Sequence, residues 1–359
     1  AFHDANRLSE QIGEHPATHP AYFSLAAMHE FRGEFTVSFA MMRERVQHGM
    51  GDDSDGSTQW LRYRVETHEL MACSMFYQGV FERSLENAEV ALRHYDPDRL
   101  YAVDAAFGAN PAINCRGWRA FALCLTGRPD SALAQAQEGM QIAVRGDHQH
   151  SMAAARHRLA LVRCMRGEAE ACLHEAELAA EEASRAGVPY NIALTHAVLG
   201  WARAGTGRTE EGRALIEDAL ARSACIGAHL DRPLHLGLLA DTLLDSDPVA
   251  ALGHIDAALV TCAGERTYFW EPELRRLRAS ALHALGRIDD CVDELEQGLA
   301  RADSTAARWL ALRIAVSSCQ LLPDHPPWWE RLRALEADLD EGGDTPLRRE
   351  AGRLLARNA

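Results

Sequence analysis

The sequence predicts an all-α protein, a right-handed superhelical solenoid of about seven helical hairpins closed by a C-terminal pair of capping helices. Three observations carry this expectation. Composition favours helix and a real core: of 359 residues 47% are apolar, 25% charged and 7% aromatic. Six glycines separate helical stretches, Gly33, Gly79, Gly127, Gly167, Gly207 and Gly286, with gaps of 46, 48, 40, 40 and 79 residues, the last close to two periods. Each glycine has a small residue seven positions before it (Ala26, Ala72, Ala120, Ala160, Gly200, Ala279) and another five after it (Ser38, Ser84, Ala132, Cys172, Gly212, Cys291).

The spacing has a steric reason. Two antiparallel helices joined by a tight turn approach closely only where their crossing residues are small, and glycine ends the first helix in a left-handed conformation at little cost. Larger apolar residues such as Leu159, Leu199, Ile216 and Leu295 then fill the seams.

Taken in order, residues 1–94 hold N-terminal hairpin repeats around Gly33 and Gly79. Residues 95–111 form a long connection, 112–322 the central and C-terminal repeats, and 323–359 a cap. Ser246-Asp247-Pro248 stands where the period calls for a seventh glycine. After Leu322-Pro323-Asp324-His325-Pro326-Pro327, Trp328 to Leu339 and Pro346 to Arg357 read as closing helices over the last apolar face. The start, without Met and inside a helical pattern at Asp4 to Gly13, reads as that of a fragment of a longer protein.

The pattern of small residue, turn glycine and second small residue, plainest in Leu199-Gly200-Trp201 through Gly207-Arg208, resembles the tetratricopeptide repeat (TPR), although the period is nearer 40 than 34 residues. Longer stretches resemble the C-terminal TPR-like region of bacterial signalling proteins. In these a class III adenylate/guanylate cyclase, a kinase or a DNA-binding domain precedes an AAA/STAND-type ATPase. The matching residues include Tyr95-Asp96-Pro97, Asn110-Pro111, Gly127-Arg128-Pro129-Asp130-Ser131, Gly200-Trp201-Ala202, Gly264-Glu265-Arg266, Trp270-Glu271-Pro272-Glu273-Leu274 and Glu341-Gly342-Gly343-Asp344-Thr345. Two departures bear on local contacts: the family often has an aromatic residue where Gly343 stands, and Thr267-Tyr268 look inserted. The resemblance implies a regulatory or sensory arm of a multidomain ATPase, whose catalytic residues would lie upstream of Ala1.

Charge and residue usage narrow the function classes. With 37 basic and 52 acidic residues the formal charge is −15, so nucleic acid and anionic membranes are not expected partners. All basic residues are arginine; without lysine there is no P-loop lysine, kinase strand lysine or Schiff base. Nine scattered cysteines without Cys-x-x-Cys fit a reducing cytoplasm better than a disulfide framework or structural zinc. No hydrolase, metalloprotease or dinucleotide motif occurs, so no catalytic residue, cofactor or metal is assigned.

Function is therefore expected on the inner face, formed by positions 13, 10, 6 and 3 before each turn glycine. These positions are apolar in the middle units and charged at the ends, with Glu66 and Glu69 in the second unit and Glu273 and Arg276 in the last. The candidate binding residues are Asn114, Phe121, His157, Leu161 and Trp201. Two coverings of this stripe compete: a tight superhelix, or the 95–111 connection with Tyr101 and Phe107, against a bound protein, peptide or small-molecule effector. Upstream domains of the same polypeptide are a further candidate partner.

Other clusters have plainer readings. His148 and His150 could ligate zinc, but Asp147 also reads as a helix N-cap there. Cys164 and Cys172, near His174, sit at packing positions. Glu181-Glu182 and Asp289-Asp290 lie on polar faces, and Trp328-Trp329 either dock a partner or cap the array.

Overall fold

The computed structural model describes residues 19–49, 58–98, 100 and 109–358. Among them are seventeen helices and no strand. The helices pair as antiparallel hairpins in chain order. Hairpin one is α1 (His19–Phe31) with α2 (Phe35–Gly49), and hairpin two is α3 (Thr58–Tyr77) with α4 (Phe81–His94). Next come α5 (Pro111–Leu125) with α6 (Pro129–Gly146), then α7 (Gln149–Arg166) with α8 (Ala169–Ala186), then α9 (Pro189–Gly205) with α10 (Thr209–Cys225). The sixth pairs a short α11 (Arg232–Asp241) with α12 (Pro248–Glu265), the seventh α13 (Glu271–Ala284) with α14 (Ile288–Ser304). An eighth, glycine-free pair follows, α15 (Arg308–Leu321) on α16 (Pro326–Ala337), and α17 (Pro346–Arg357) lies against both. The expected all-α TPR-like solenoid is the observed fold. The Asp4 to Gly13 stretch, Tyr101 and Phe107 lie outside the described residues.

The turn glycines adopt the left-handed conformation the sequence called for, with φ between 74° and 95°. The crossings also fall where small residues stand. Ser84 donates to the carbonyl of Ala72 (2.8 Å), and the Cys172 thiol to that of Ala160 (3.2 Å). Gly200 and Gly212 meet so closely that a Cβ on either would lie 2.5 or 2.3 Å from the other's carbonyl oxygen. At the missing glycine, Asp247 caps α12 by accepting from Ala250 N (3.0 Å).

A second left-handed position closes hairpins three to seven each against the next: Asp147, Gly187, Gly227, Arg266 and Ala306, at intervals of 40, 40, 39 and 40 residues. Three of the five are not glycine, so aligning glycines could not find them. Asp147 is one of these, and this corrects its reading as an N-cap. It ends α6 at φ 49°, and α7 begins after His148, whose Nδ1 pairs with Ser151 Oγ at 2.9 Å.

The superhelix is tight enough to touch itself. Hairpins one and two each meet the link after the hairpin four further on, and hairpin three meets the segment after hairpin eight. His229 N donates to Phe31 O (2.9 Å), and Tyr268 N and Phe269 N donate to Tyr77 O (2.8 and 3.2 Å). Ser131 N donates to Glu341 Oε2 and Gly342 N to Asp130 Oδ2, each at 2.7 Å. Two motif stretches 210 residues apart in sequence are thus one contact, and Tyr268, which looked inserted, makes another. Trp328 and Trp329 are buried, with Trp329 Nε1 donating to Pro323 O (2.8 Å), so this pair serves the cap.

Candidate functional site

The first helices of hairpins two to five line the concave face, and between them lies a cavity of about 320 Å³. α1 closes one side. The segment before α11, with Leu230 and Asp231, closes another from four hairpins further along. Ala109, at the end of the 95–111 connection, also contributes, held where Asn110 Nδ2 donates to Tyr95 Oη (2.6 Å) and Asn110 N to Ser151 Oγ (3.1 Å).

On α5 the lining residues are Asn114, Trp118 and Phe121, and on α7 Ala154, His157, Arg158 and Leu161. This i, i+4, i+7 face is the one expected, widened by the residue nine before the turn glycine. Four of the five sequence candidates, Asn114, Phe121, His157 and Leu161, therefore meet in one cavity. Trp201 does not join them. Its Nε1 donates to Asp241 Oδ2 (3.2 Å), and it borders a space of only about 10 Å³ beside Trp270 and Glu273.

Part of the apolar stripe is covered from within. Phe269 arrives from the α12–α13 link and packs on Phe76 and Tyr77, both with ring centroids 5.0 Å away; Phe76 in turn contacts Phe121 at 5.8 Å. What stays open is more polar than the sequence predicted.

Arg158 is the central polar group. Its Nη2 donates to Asn114 Oδ1 (2.6 Å), its Nη1 to Ala154 O (2.9 Å), and its Cζ lies 5.9 Å from the Trp118 ring centroid. Gly117 makes room for it: a Cβ there would come within 2.2 Å of Arg158 Cδ. Arg158 Nε has no partner, and among the described residues no carboxylate stands within ion-pair distance of the guanidinium. Burial lowers its affinity for the proton.

Three carboxyls, Glu30, Glu69 and Asp231, share the cavity without a cation at ion-pair distance among the described residues. Glu30, 4% exposed, accepts from Ser74 Oγ and Ser38 Oγ, and burial pushes its pKa up to about 8. Glu69, 5% exposed, accepts from Trp118 Nε1 (3.3 Å); burial carries it to about 7. Asp231 differs, being held by the hydroxyls of Tyr77 and Tyr190, both at 2.6 Å. Burial pushes His157 down to about 3, so its ring is neutral, and its Nδ1 lacks a partner, as does Asn191 Nδ2. Burial likewise pushes the Cys73 thiol far above its ordinary range, which removes it as a nucleophile.

Sequence reasoning missed Glu30, Tyr77, Trp118, Arg158, Tyr190, Asn191 and Asp231 as site residues. Trp118 and Arg158 were findable from the widened face, whereas Asp231 enters only through the superhelical turn. No group of three metal-ligating residues occurs among the described residues, and none of their helices is long and apolar enough to cross a membrane.

No family profile matches the chain. No curated protein sequence matches it either. Solved structures do. NprR in complex with its cognate peptide NprX is similar over 94% of this chain and 96% of its own, with a TM-score of 0.57 and 11% identity. A Rap protein complexed with competence and sporulation factor covers 89% and 98%, at 0.55 and 14%. The Rap conjugation gene regulator of the plasmid pLS20, in complex with the Phr* peptide, covers 95% and 96%, at 0.54 and 11%. At these identities the likeness establishes the fold: the chain is a TPR-like helical repeat array.

Proposed function

We propose that this chain is a regulatory interaction module that binds an effector in the concave cavity and passes occupancy on to other domains of a signalling ATPase, without catalysing a reaction itself. The observation that carries the reading is the cavity, walled by hairpins one to five and by the segment before α11, and holding buried polar groups without partners. Buried unpaired polar atoms are costly, so an occupant that pairs them is favoured. Because Asp231 bridges Tyr77 and Tyr190 across successive superhelical turns, an occupant touching that wall biases the pitch of the array. The three similar structures were solved with a peptide or a named factor bound, which favours a peptide-like effector. The resemblance of Gly200-Trp201-Ala202 and the other motif stretches to STAND-linked arrays favours the ATPase setting and, with it, the cytoplasm.

A peptide-binding adaptor without a switch is the second reading, favoured by the same similar structures. Native mass spectrometry of the purified chain, beside Ala154→Phe, tests the site. An occupant or partner retained by the wild type and lost by a variant of equal helicity supports the cavity; equal retention by both rejects it. Effector-dependent ATP turnover in a parent protein separates sensor from adaptor.

A further inference from the structure

The cavity holds four acidic or basic side chains that lack a counter-charge at ion-pair distance among the described residues: Arg158, Glu30, Glu69 and Asp231, the last held by the hydroxyls of Tyr77 and Tyr190. Outside this cavity, buried charges on the described inner face are paired. Glu273 meets Arg276 and Arg313, both at 2.7 Å, and Glu66 meets Arg62 at 2.6 Å. A buried guanidinium and a buried carboxylate in one space would gain by pairing with each other, yet here Asn114 takes the Arg158 Nη2 bond and Trp118 takes the Glu69 carboxyl. The two signs of charge are therefore adjacent but held apart. Unsatisfied donors, Arg158 Nε and Asn191 Nδ2, add to the demand for an acceptor from outside. The remaining wall is apolar or aromatic, with Phe23, Phe31, Leu70, Leu161, Leu194 and Leu230. A volume of about 320 Å³ stands at the lower end of ligand pockets, which run from about 300 to 1,000 Å³.

We propose that the cavity takes a small zwitterion, an ammonium and a carboxylate carried on one apolar body, as in a free amino acid or a peptide of two or three residues. The carboxylate meets Arg158 and Asn191, the ammonium meets Glu69 and Glu30, and the apolar body lies against the leucines and phenylalanines. A single occupant then meets Arg158 and the two glutamates together while Asp231 keeps its tyrosine hydroxyls, where an anion or a cation alone would leave one side unmatched. The assignment rests on reading this cavity as the binding site, and it sharpens that reading to a ligand class.

The test is calorimetric titration of the full chain with L-leucine, L-phenylalanine and the dipeptide Leu-Phe. Each is compared with its N-acetylated form, its C-terminal amide and the doubly capped form. The expected result is binding of at least one uncapped compound, with a loss of tenfold or more on capping either end. Amino acid and dipeptide arms distinguish the two sources. Arg158→Met should erase the penalty for the amide and keep that for the acetyl group; Glu69→Gln should do the reverse. Doubly capped compounds binding as well as uncapped ones would overturn the zwitterion while leaving the cavity as the site. Failure of every uncapped compound to bind overturns it as well, and an occupant retained equally by Ala154→Phe removes the cavity reading beneath it. The capped series on the wild-type chain decides the matter even if a variant fails to fold.

Discussion

The concave face is built by one rule along its whole length, yet its two halves treat charge in opposite ways. In the N-terminal half, Arg158, Glu30 and Glu69 surround an open space without pairing. In the C-terminal half, Glu273 is 2% exposed and clasped by Arg276 and Arg313, Arg276 also donates to Ser317 Oγ (3.1 Å), and the neighbouring space shrinks to about 10 Å³. Pairing among its own residues marks a surface whose task is stacking; charge left unmatched marks one that awaits something else.

The sharpest break between the halves is expected from charge removal. Glu273→Ala leaves Arg276 with only Asp241 at 4.0 Å and Arg313 without a carboxylate, and should cost about 3 kcal/mol. Arg158→Met deletes a cation that has no carboxylate partner and should change stability by less than about 1 kcal/mol, both read by urea unfolding. Equal losses would erase the distinction drawn here.

The next effect concerns hairpin five, which joins the two halves. Gly200→Ala places a Cβ 2.5 Å from Gly212 O, so the helices must separate, at a cost of about 1–3 kcal/mol. An unchanged melting temperature would mean that the crossing has slack.

The halves should also answer pH with opposite sign. Burial raises the Glu30 carboxyl to about 8 and that of Glu69 to about 7, so folded protein holds these protons more tightly than unfolded chain does. Their contribution is present below the ordinary value of 4.5 and is lost as pH rises through 7 and 8. Burial alone would raise Glu273 too, yet Arg276 and Arg313 hold it below its ordinary range; its contribution is present above 4.5 and lost as pH falls through its folded value. Glu30→Gln should therefore raise the melting temperature near pH 8.5 and flatten the fall from about pH 5, whereas Glu273→Gln should flatten the acid side. A wild-type melting temperature that is level from about pH 5 to pH 8 would remove the first half of this contrast.

The smallest change in stability and the most local in function is expected from Gly117→Ala. Its Cβ displaces Arg158 from the position in which Asn114 holds it, and should weaken effector binding about tenfold or more while moving the melting temperature little. Unaltered binding would mean that Arg158 does not contact the occupant.

The repeat was legible because it depends on contacts between neighbours in sequence. Ala160 opposite Cys172 and Gly200 opposite Gly212 are twelve residues apart, and a hairpin brings such pairs together whatever the rest of the chain does. The candidate face was legible for the same reason, since Asn114, Phe121, His157 and Leu161 follow the helical period from a turn that glycine marks. Charge was harder to read. Glu273 and Glu69 look alike in sequence, both acidic residues on the expected inner face, and only their surroundings separate the paired one from the unpaired one.

By itself, then, the sequence determined hairpins, crossings and which face looks inward, because those follow from side-chain size and a 3.6-residue period. Tertiary structure decided the pitch: the joints between hairpins, Asp147, Gly187 and Gly227 among them, add up until hairpin one meets the segment before α11. That accumulated rotation brings Asp231 to Tyr77, 154 positions away, and presses Phe269 onto Phe76. It closes the C-terminal part of the groove and leaves the N-terminal part as a cavity. A sum over many joints has no signature at any one residue, which is why the site's far wall could not be read from the chain alone.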